Sequence, residues 1–120
     1  MANILIVDDS ASMRNMVTAT LQSAGHQVQS AGDGQAALNI AKTGKFEAVV
    51  TDLNMPIMDG IELVRNLRTL PNYKYTPILL LTTESAADKK TQGKQAGATG
   101  WLVKPFNPEK LLATIKRVVR

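Results

Sequence analysis

The sequence predicts an α/β domain in which helices cover both faces of a five-stranded parallel sheet. Five short apolar runs alternate with segments whose apolar residues recur at helical spacing. The apolar runs are mostly continuous, which is typical of strands buried on both faces. A length of 120 residues suits one domain, and with no cysteine its core cannot depend on disulfides.

The predicted elements follow one another in strict alternation. The predicted strands span residues 4–7, 28–31, 46–51, 78–81 and 100–103, and the predicted helices cover about residues 13–24, 34–44, 61–70, 86–95 and 108 onward. Ser10 or Ser12 is a suitable cap for the first helix, Gly25 ends it, and Pro108 suits the first turn of the last. Asp59 and Gly60 are typical of a turn. The second strand is more polar than the others, which predicts a position nearer an edge.

Charge is distributed unevenly along the chain. Residues 1–60 carry three basic and six acidic side chains, net −3, whereas residues 61–120 carry eleven and four, net +7. No run of adjacent lysines or arginines exceeds two, and no helix-turn-helix follows, so we expect no nucleic-acid partner. The basic surplus instead predicts an acidic segment on a protein partner. Without a membrane-spanning run or a leader, we expect no membrane association and a cytoplasmic location.

Polar residues follow four of the predicted strands. They are Asp8 and Asp9, then Asp52, Thr82 and Lys104. Because ligands bind at the carboxyl ends of strands in such sheets, we expect these side chains to converge. Carboxylates crowded together repel unless a cation joins them, and oxygen ligands with open water positions favour Mg²⁺. A carboxylate can also accept a phosphoryl group. The residues thus predict Mg²⁺-dependent phosphoryl chemistry on an aspartate, without indicating which one.

Six short motifs are more specific together than any one alone. They are LIVDDS at 5–10, AGDGQAAL at 31–38, TDLNMP at 51–56, MDG at 58–60, LTTE at 81–84 and KPF at 104–106. With this order and spacing, the whole chain resembles the receiver domain of two-component response regulators, specifically the single-domain chemotaxis regulators of the CheY type.

The resemblance implies a fold and a phosphorylation site. The fold would be a doubly wound, flavodoxin-like sheet with strand order 2-1-3-4-5, forming a single receiver domain over residues 1–120 with no output domain. Asp52 matches the phosphoacceptor. Asp8 and Asp9 match the acidic pair that binds Mg²⁺, with Asp52 and the backbone carbonyl of Asn54 as further ligands.

The resemblance also implies a switch. Thr82 matches the hydroxyl that moves toward the phosphoryl oxygens, and Lys104 matches the lysine that pairs with them. Trp101 stands at the switch-aromatic position, where the family commonly has tyrosine or phenylalanine. The peptide bond before Pro105 resembles the family's cis bond.

The implied activity is that of a signalling switch and not of an enzyme acting on other molecules. A CheA-like histidine kinase would phosphorylate a monomeric protein, which would then bind the flagellar motor switch or another chemosensory component, and a phosphatase is a further expected partner. Asn54 and Glu84 occupy positions that tune hydrolysis, and their pairing resembles fast-cycling chemotaxis regulators. The alternative is a phosphate sink or relay intermediate without an effector of its own.

Other interpretations of single features stay open. Asp8 and Asp9 are also suited to complement a helix dipole. A flavin or nucleotide binder shares the fold, but a glycine-rich phosphate loop is missing after the first strand. Lys89, Lys90 and Lys94 are predicted to form a solvated helix face, with a partner surface as the alternative.

Overall fold

The computed structural model describes residues 2–83, 87–104 and 107–119, with residues 87 and 88 described by their backbone alone. It confirms the predicted sheet: five strands in the order β2-β1-β3-β4-β5, with every neighbouring pair parallel. In chain order the elements are β1 (Asn3–Val7), α1 (Ala11–Ser23), β2 (Gln27–Ala31), α2 (Gly34–Thr43), β3 (Ala48–Asp52), α3 (Gly60–Arg68), a 3₁₀ turn (Pro71–Tyr73), β4 (Ile78–Thr82), α4 (Ala87–Ala96), β5 (Gly100–Val103) and α5 (Pro108–Val118).

Both faces of the sheet are buried, as the continuous apolar runs predict. Alternate residues of β1 point to opposite faces. Leu5 and Val7 join the core beneath α2 and α3, whereas Ile4 and Ile6 join the core beneath α1 and α5. Within the described part of the chain, no helix is long and apolar enough to cross a membrane.

The strand order places a crevice between the carboxyl ends of β1 and β3. The chain winds away from β1 in both directions, so this is the topological switch point where such folds bind ligands. In the register, Val7 lies opposite Thr51 and Thr82 lies opposite Val103. The strands therefore end nearly level, and the residues that follow them lie along one rim.

Several element boundaries differ from the predictions by one or two residues, and two of these differences have a clear local cause. The third helix begins at Gly60, one residue early, because the Asp59 side chain accepts a hydrogen bond from the Glu62 amide at 2.8 Å and caps it. The third strand begins at Ala48 and not at Phe46. Ala48 pairs with Ile4 near the start of β1, so Phe46 has no strand partner and packs its buried ring beside Gly44.

Gly60 allows α3 to begin directly against the end of β3. A Cβ atom at this position would overlap the carbonyl oxygen of Asp52 and approach Leu53 Cα within 3.0 Å. The Gly60 amide donates to the Leu53 carbonyl at 2.9 Å. The loop after Asp52 is therefore tight, with the start of α3 in direct contact with the end of β3.

Ile57 adopts a strained conformation at the tip of that loop. Its φ is 71°, it is 80% exposed, and the Met58 amide donates across it to the Pro56 carbonyl at 2.7 Å. A β-branched side chain clashes with the backbone in the left-handed region, whereas asparagine tolerates it. Ile57 therefore stores strain without burying apolar surface.

We expect Ile57→Asn to raise the free energy of unfolding by about 1 kcal/mol, because the left-handed conformation costs about that much for most side chains. Urea unfolding followed by circular dichroism measures the change. Tyr75→Asn, at a residue 88% exposed and without positive φ, controls for the loss of a surface apolar group. A lower free energy of unfolding for Ile57→Asn would contradict this prediction, because it would show that the isoleucine side chain stabilises the loop despite its left-handed backbone.

Candidate functional site at the carboxyl ends of the strands

Three carboxylates meet at the rim of the sheet. Asp8, Asp9 and Asp52 each offer an oxygen atom within 4.8 Å of the other two. Asp8 is fully buried and Asp52 is 7% exposed, whereas Asp9 is exposed. The cluster thus has a buried part, formed by Asp8 and Asp52, and a solvent-facing edge, formed by Asp9.

The two buried carboxylates are held by backbone amides. The Ser10 amide donates to Asp8 Oδ1 at 2.9 Å, and the Leu53 amide donates to Asp52 Oδ1 at 2.9 Å. Arg14 Nη1 donates to the main-chain carbonyl of Asp8 at 2.6 Å, tying α1 to the end of β1. Both carboxylates are therefore fixed in orientation before any ligand binds.

Lys104 joins the two buried carboxylates. Its Nζ lies 3.1 Å from Asp8 Oδ2 and 3.2 Å from Asp52 Oδ1, and only 14% of its side chain is exposed. Its backbone amide donates to the Thr82 carbonyl at 2.8 Å, which extends the β4–β5 pairing to the rim. One ammonium group from the end of β5 thus offsets part of the acidic charge of β1 and β3.

The electrostatics of Asp52 and Lys104 are coupled. Burial raises the pKa of the Asp52 carboxyl, and the Asp8 carboxylate raises it further, although Lys104 opposes both effects. Burial alone would lower the pKa of Lys104, but its hydrogen bonds and charge interactions with Asp8 and Asp52 outweigh that effect and raise it. Lys104 therefore keeps its positive charge near neutral pH, and further positive charge beside Asp52 would favour the ionised form of its carboxyl.

Thr82 and Trp101 lie on two neighbouring strands of the sheet, β4 and β5. Thr82 ends β4 and is 4% exposed. Trp101, in β5, is half-buried against the core, and its indole lines a small cavity together with Thr82. The predicted switch residues are therefore neighbours.

Three other predicted features are not tested by the described geometry, and they stay predictions. The Asn54 side chain is exposed two residues after Asp52. Glu84, expected to tune hydrolysis, and Pro105, expected to follow a cis bond, lie outside the described residues.

The sequence did not single out two contacts near the rim. One is the bond from Arg14 to Asp8, for which an arginine one turn into a helix gives no specific signal. The other joins Lys90 to Trp101, with the ammonium 5.4 Å from the ring centroid. Helical periodicity places Lys90 on a polar face, so only the packing of α4 on β5 shows this contact.

The donor set fits a small hard cation. Three carboxylates offer oxygen ligands, and the exposure of Asp9 leaves the cation sites open to water on one side. Mg²⁺ prefers a few carboxylate ligands together with waters or phosphoryl oxygens. The adjacent Lys104 ammonium suits a phosphoryl oxygen.

The doubly wound sheet and the carboxylate–lysine cluster at its switch point together define a receiver-type α/β domain. Residues 4–116 match the family model of the response regulator receiver domain. The protein therefore belongs to the response regulator receiver family, as its motifs predict.

Its relatives include chemotaxis proteins. It is 40% identical to chemotaxis protein CheY-3 of Vibrio cholerae over 116 residues, which cover 96% of this chain and 89% of the relative. The structure of chemotaxis protein CheY4 of Vibrio cholerae superposes with a TM-score of 0.96 at 55% identity, covering 99% of both chains. The receiver domain of sensor histidine kinase PA1611 from Pseudomonas aeruginosa, with a magnesium ion coordinated in its active-site cleft, gives a TM-score of 0.91 at 29% identity, covering 98% of this chain and 96% of that one.

Proposed function

We propose that this protein is a phosphorylation-activated switch of a two-component chemotaxis system. A histidine kinase transfers a phosphoryl group to Asp52 in the presence of Mg²⁺, and the phosphorylated protein signals by binding another protein. The observation that carries this proposal is the placement of Asp52: a nearly buried carboxylate within 3.2 Å of Lys104 Nζ and beside two further carboxylates.

Each residue has a defined part in the transfer. Asp8, Asp9, Asp52 and the Asn54 carbonyl would hold the cation, which supplies positive charge at the phosphoryl oxygens. An Asp52 oxygen attacks the phosphorus of the phosphohistidine, an O–P bond forms as the N–P bond breaks, and the imidazole leaves. The magnesium ion of the PA1611 receiver supports this assignment by similarity.

Two further side chains complete the site. Lys104 pairs with a phosphoryl oxygen, and the Thr82 hydroxyl donates to another. Water later attacks the phosphorus and regenerates Asp52, and Asn54 and Glu84 set the rate of this hydrolysis. The protein therefore catalyses only its own phosphorylation and dephosphorylation.

The partners follow from the same proposal. Residues 1–120 act as one monomeric receiver domain in the cytoplasm, served by a CheA-like kinase and by a phosphatase. The target is the flagellar motor switch or another chemosensory component. The net charge of +7 over residues 61–120 favours an acidic segment on that target.

Beryllofluoride, which mimics a phosphoryl group on a carboxylate, tests the site directly. With Mg²⁺ it should bind the wild type, change the emission of Trp101, the single tryptophan, and raise the free energy of unfolding by about 2.7 kcal/mol at a hundred times its Kd. Asp52→Asn should show neither effect. Binding detected by neither method in the wild type would refute the proposal.

A further inference from the structure

Lys90 and Trp101 form a contact that the proposed chemistry does not use. The Lys90 ammonium lies over the Trp101 ring, 5.4 Å from its centroid, and both side chains are half-buried. An ammonium over an indole face is attracted by the ring's electron density, and partial loss of water strengthens the attraction. The contact joins α4 to β5.

Over residues 89–96, the helix that carries Lys90 buries little apolar side chain against the sheet. Residues 89–96 of α4 contain no apolar side chain larger than alanine. Its buried positions in this stretch are Gly93 and Ala96. A Cβ at Gly93 would lie 2.7 Å from a Leu80 methyl, so the helix backbone packs closely on β4 but covers little apolar surface.

The two ends of α4 are held differently. Just beyond its carboxyl end, Arg68 Nε and Nη2 donate to the Gly97 carbonyl at 3.0 and 2.8 Å. Toward its amino end, Lys90 contacts Trp101. The Lys90 contact therefore joins the amino-terminal half of α4 to β5.

The same indole faces Thr82 across a very small cavity. Trp101 lines a cavity of about 10 Å³ with Leu53, Leu80 and Thr82, and Lys90 and Lys89 complete the wall. A cavity this small holds at most about one water molecule. The indole thus has almost no free space on its Thr82 side, and the Lys90 ammonium lies over its ring.

We propose that Lys90 is a positioning residue that clamps the Trp101 indole behind Thr82 and thereby favours the phosphorylation-competent conformation. This inference rests on the proposed function. When Thr82 moves toward a phosphoryl group on Asp52, an indole held behind it fills the space that would otherwise become a cavity, which is costly. Without the clamp the indole samples other rotamers, and the apparent affinity falls with the competent fraction.

The test compares three variants of the full chain. Lys90→Met keeps an unbranched chain but loses the charge, Lys90→Arg keeps the cation, and Lys94→Met removes the same charge from an exposed position on the same helix. Acrylamide quenching of Trp101 reports on how firmly the indole is held without any phosphoryl analogue. Titration with beryllofluoride and Mg²⁺ reports on the switch, with urea unfolding as the measure of stability.

In Lys90→Met we expect acrylamide to quench Trp101 more strongly. We also expect the affinity for beryllofluoride to fall about twofold to thirtyfold, which is the change in affinity that corresponds to losing one cation–π interaction. Lys90→Arg should retain wild-type values, and Lys94→Met should change neither. The proposal is overturned if Lys90→Met binds beryllofluoride as tightly as Lys94→Met does, or more tightly than wild type. This holds even if urea unfolding shows that Lys90→Met is less stable. If the wild type itself does not bind beryllofluoride, the proposed function fails instead, and the quenching result still decides whether Lys90 holds the indole.

Discussion

An Asp52→Asn variant is expected to lose phosphoryl acceptance while its fold becomes more stable. An amide lacks the anionic oxygen that attacks phosphorus, so no acyl phosphate forms. The same substitution removes a carboxylate that is 7% exposed and lies beside Asp8. We expect the free energy of unfolding near neutral pH to rise by about 1 kcal/mol, a modest gain because Lys104 loses one of its two partners.

The gain in stability should depend on pH. The pKa of Asp52 is raised in the folded protein, chiefly by burial and then by Asp8, so the folded state binds this proton more tightly than the unfolded chain does. The ionised form therefore costs stability at pH values above the folded pKa, and the cost disappears as pH falls toward the ordinary carboxyl pKa. The advantage of Asp52→Asn should be full at pH values above the folded pKa of Asp52 and should vanish in acid.

Two measurements check this pair of effects. Intact mass after incubation with a small acyl phosphate and Mg²⁺ reports the transferred phosphoryl group, and urea unfolding across the pH range reports stability. Asp33→Asn is a useful control, because Asp33 caps α2 through the Ala36 amide at 2.8 Å: it should keep phosphoryl acceptance and gain no stability. A phosphorylated Asp52→Asn protein would place the acceptor elsewhere, and a stability gain that persists in acid would exclude charge as its cause.

The fold and most of the rim could be predicted from the sequence because both depend on simple regularities. Strands buried on both faces leave continuous apolar runs, and residues after parallel strands must share one edge. That regularity brings together Asp8, Asp9, Asp52 and Lys104, as the structure shows. It does not assign their roles, which came from the resemblance of the motifs.

The remaining features depend on packing that no short pattern encodes. Asp8 and Asp9 are adjacent and chemically alike, yet one is fully buried and the other exposed, because the end of β1 turns between them toward Ser10. The polar sequence of α4 predicts a solvated side chain for Lys90, and its contact with Trp101 is seen only once α4 is packed on the sheet. The positive φ of Ile57 contradicts its intrinsic preference, so propensity alone predicts the wrong conformation there.

Removing the charge of Lys104 is expected to have the largest effect on stability. Lys104→Met would leave the carboxylates of Asp8 and Asp52 without the ammonium that lies 3.1 and 3.2 Å from them. Removing one partner of a buried ion pair leaves an uncompensated charge, and we expect the free energy of unfolding to fall by about 3 kcal/mol near neutral pH.

The cause of this loss can be separated from a simple packing defect. Without Lys104, the pKa of Asp52 should rise further, because the charge and hydrogen bond of Lys104 both lower it, and the Leu53 amide would be left as the remaining lowering contact. The deficit should therefore shrink as pH falls and the Asp52 carboxyl takes up a proton. In the wild type, the raised pKa of Lys104 predicts a loss of stability at high pH. The stabilisation by Lys104 is complete below the ordinary lysine pKa and is lost as pH rises through the pKa of Lys104 in the folded protein.

Mg²⁺ provides the decisive comparison, since a divalent cation among the same carboxylates replaces the missing positive charge. Urea unfolding with and without Mg²⁺ should show a larger stabilisation in Lys104→Met than in wild type, while Lys94→Met should behave as wild type in both conditions. Phosphoryl uptake from an acyl phosphate should nevertheless stay slow in Lys104→Met, because the ammonium that pairs with the phosphoryl oxygen is gone. If Mg²⁺ stabilises wild type and Lys104→Met equally, Lys104 and the cation do not compensate the same charges, and the predicted compensation at the acidic rim is wrong.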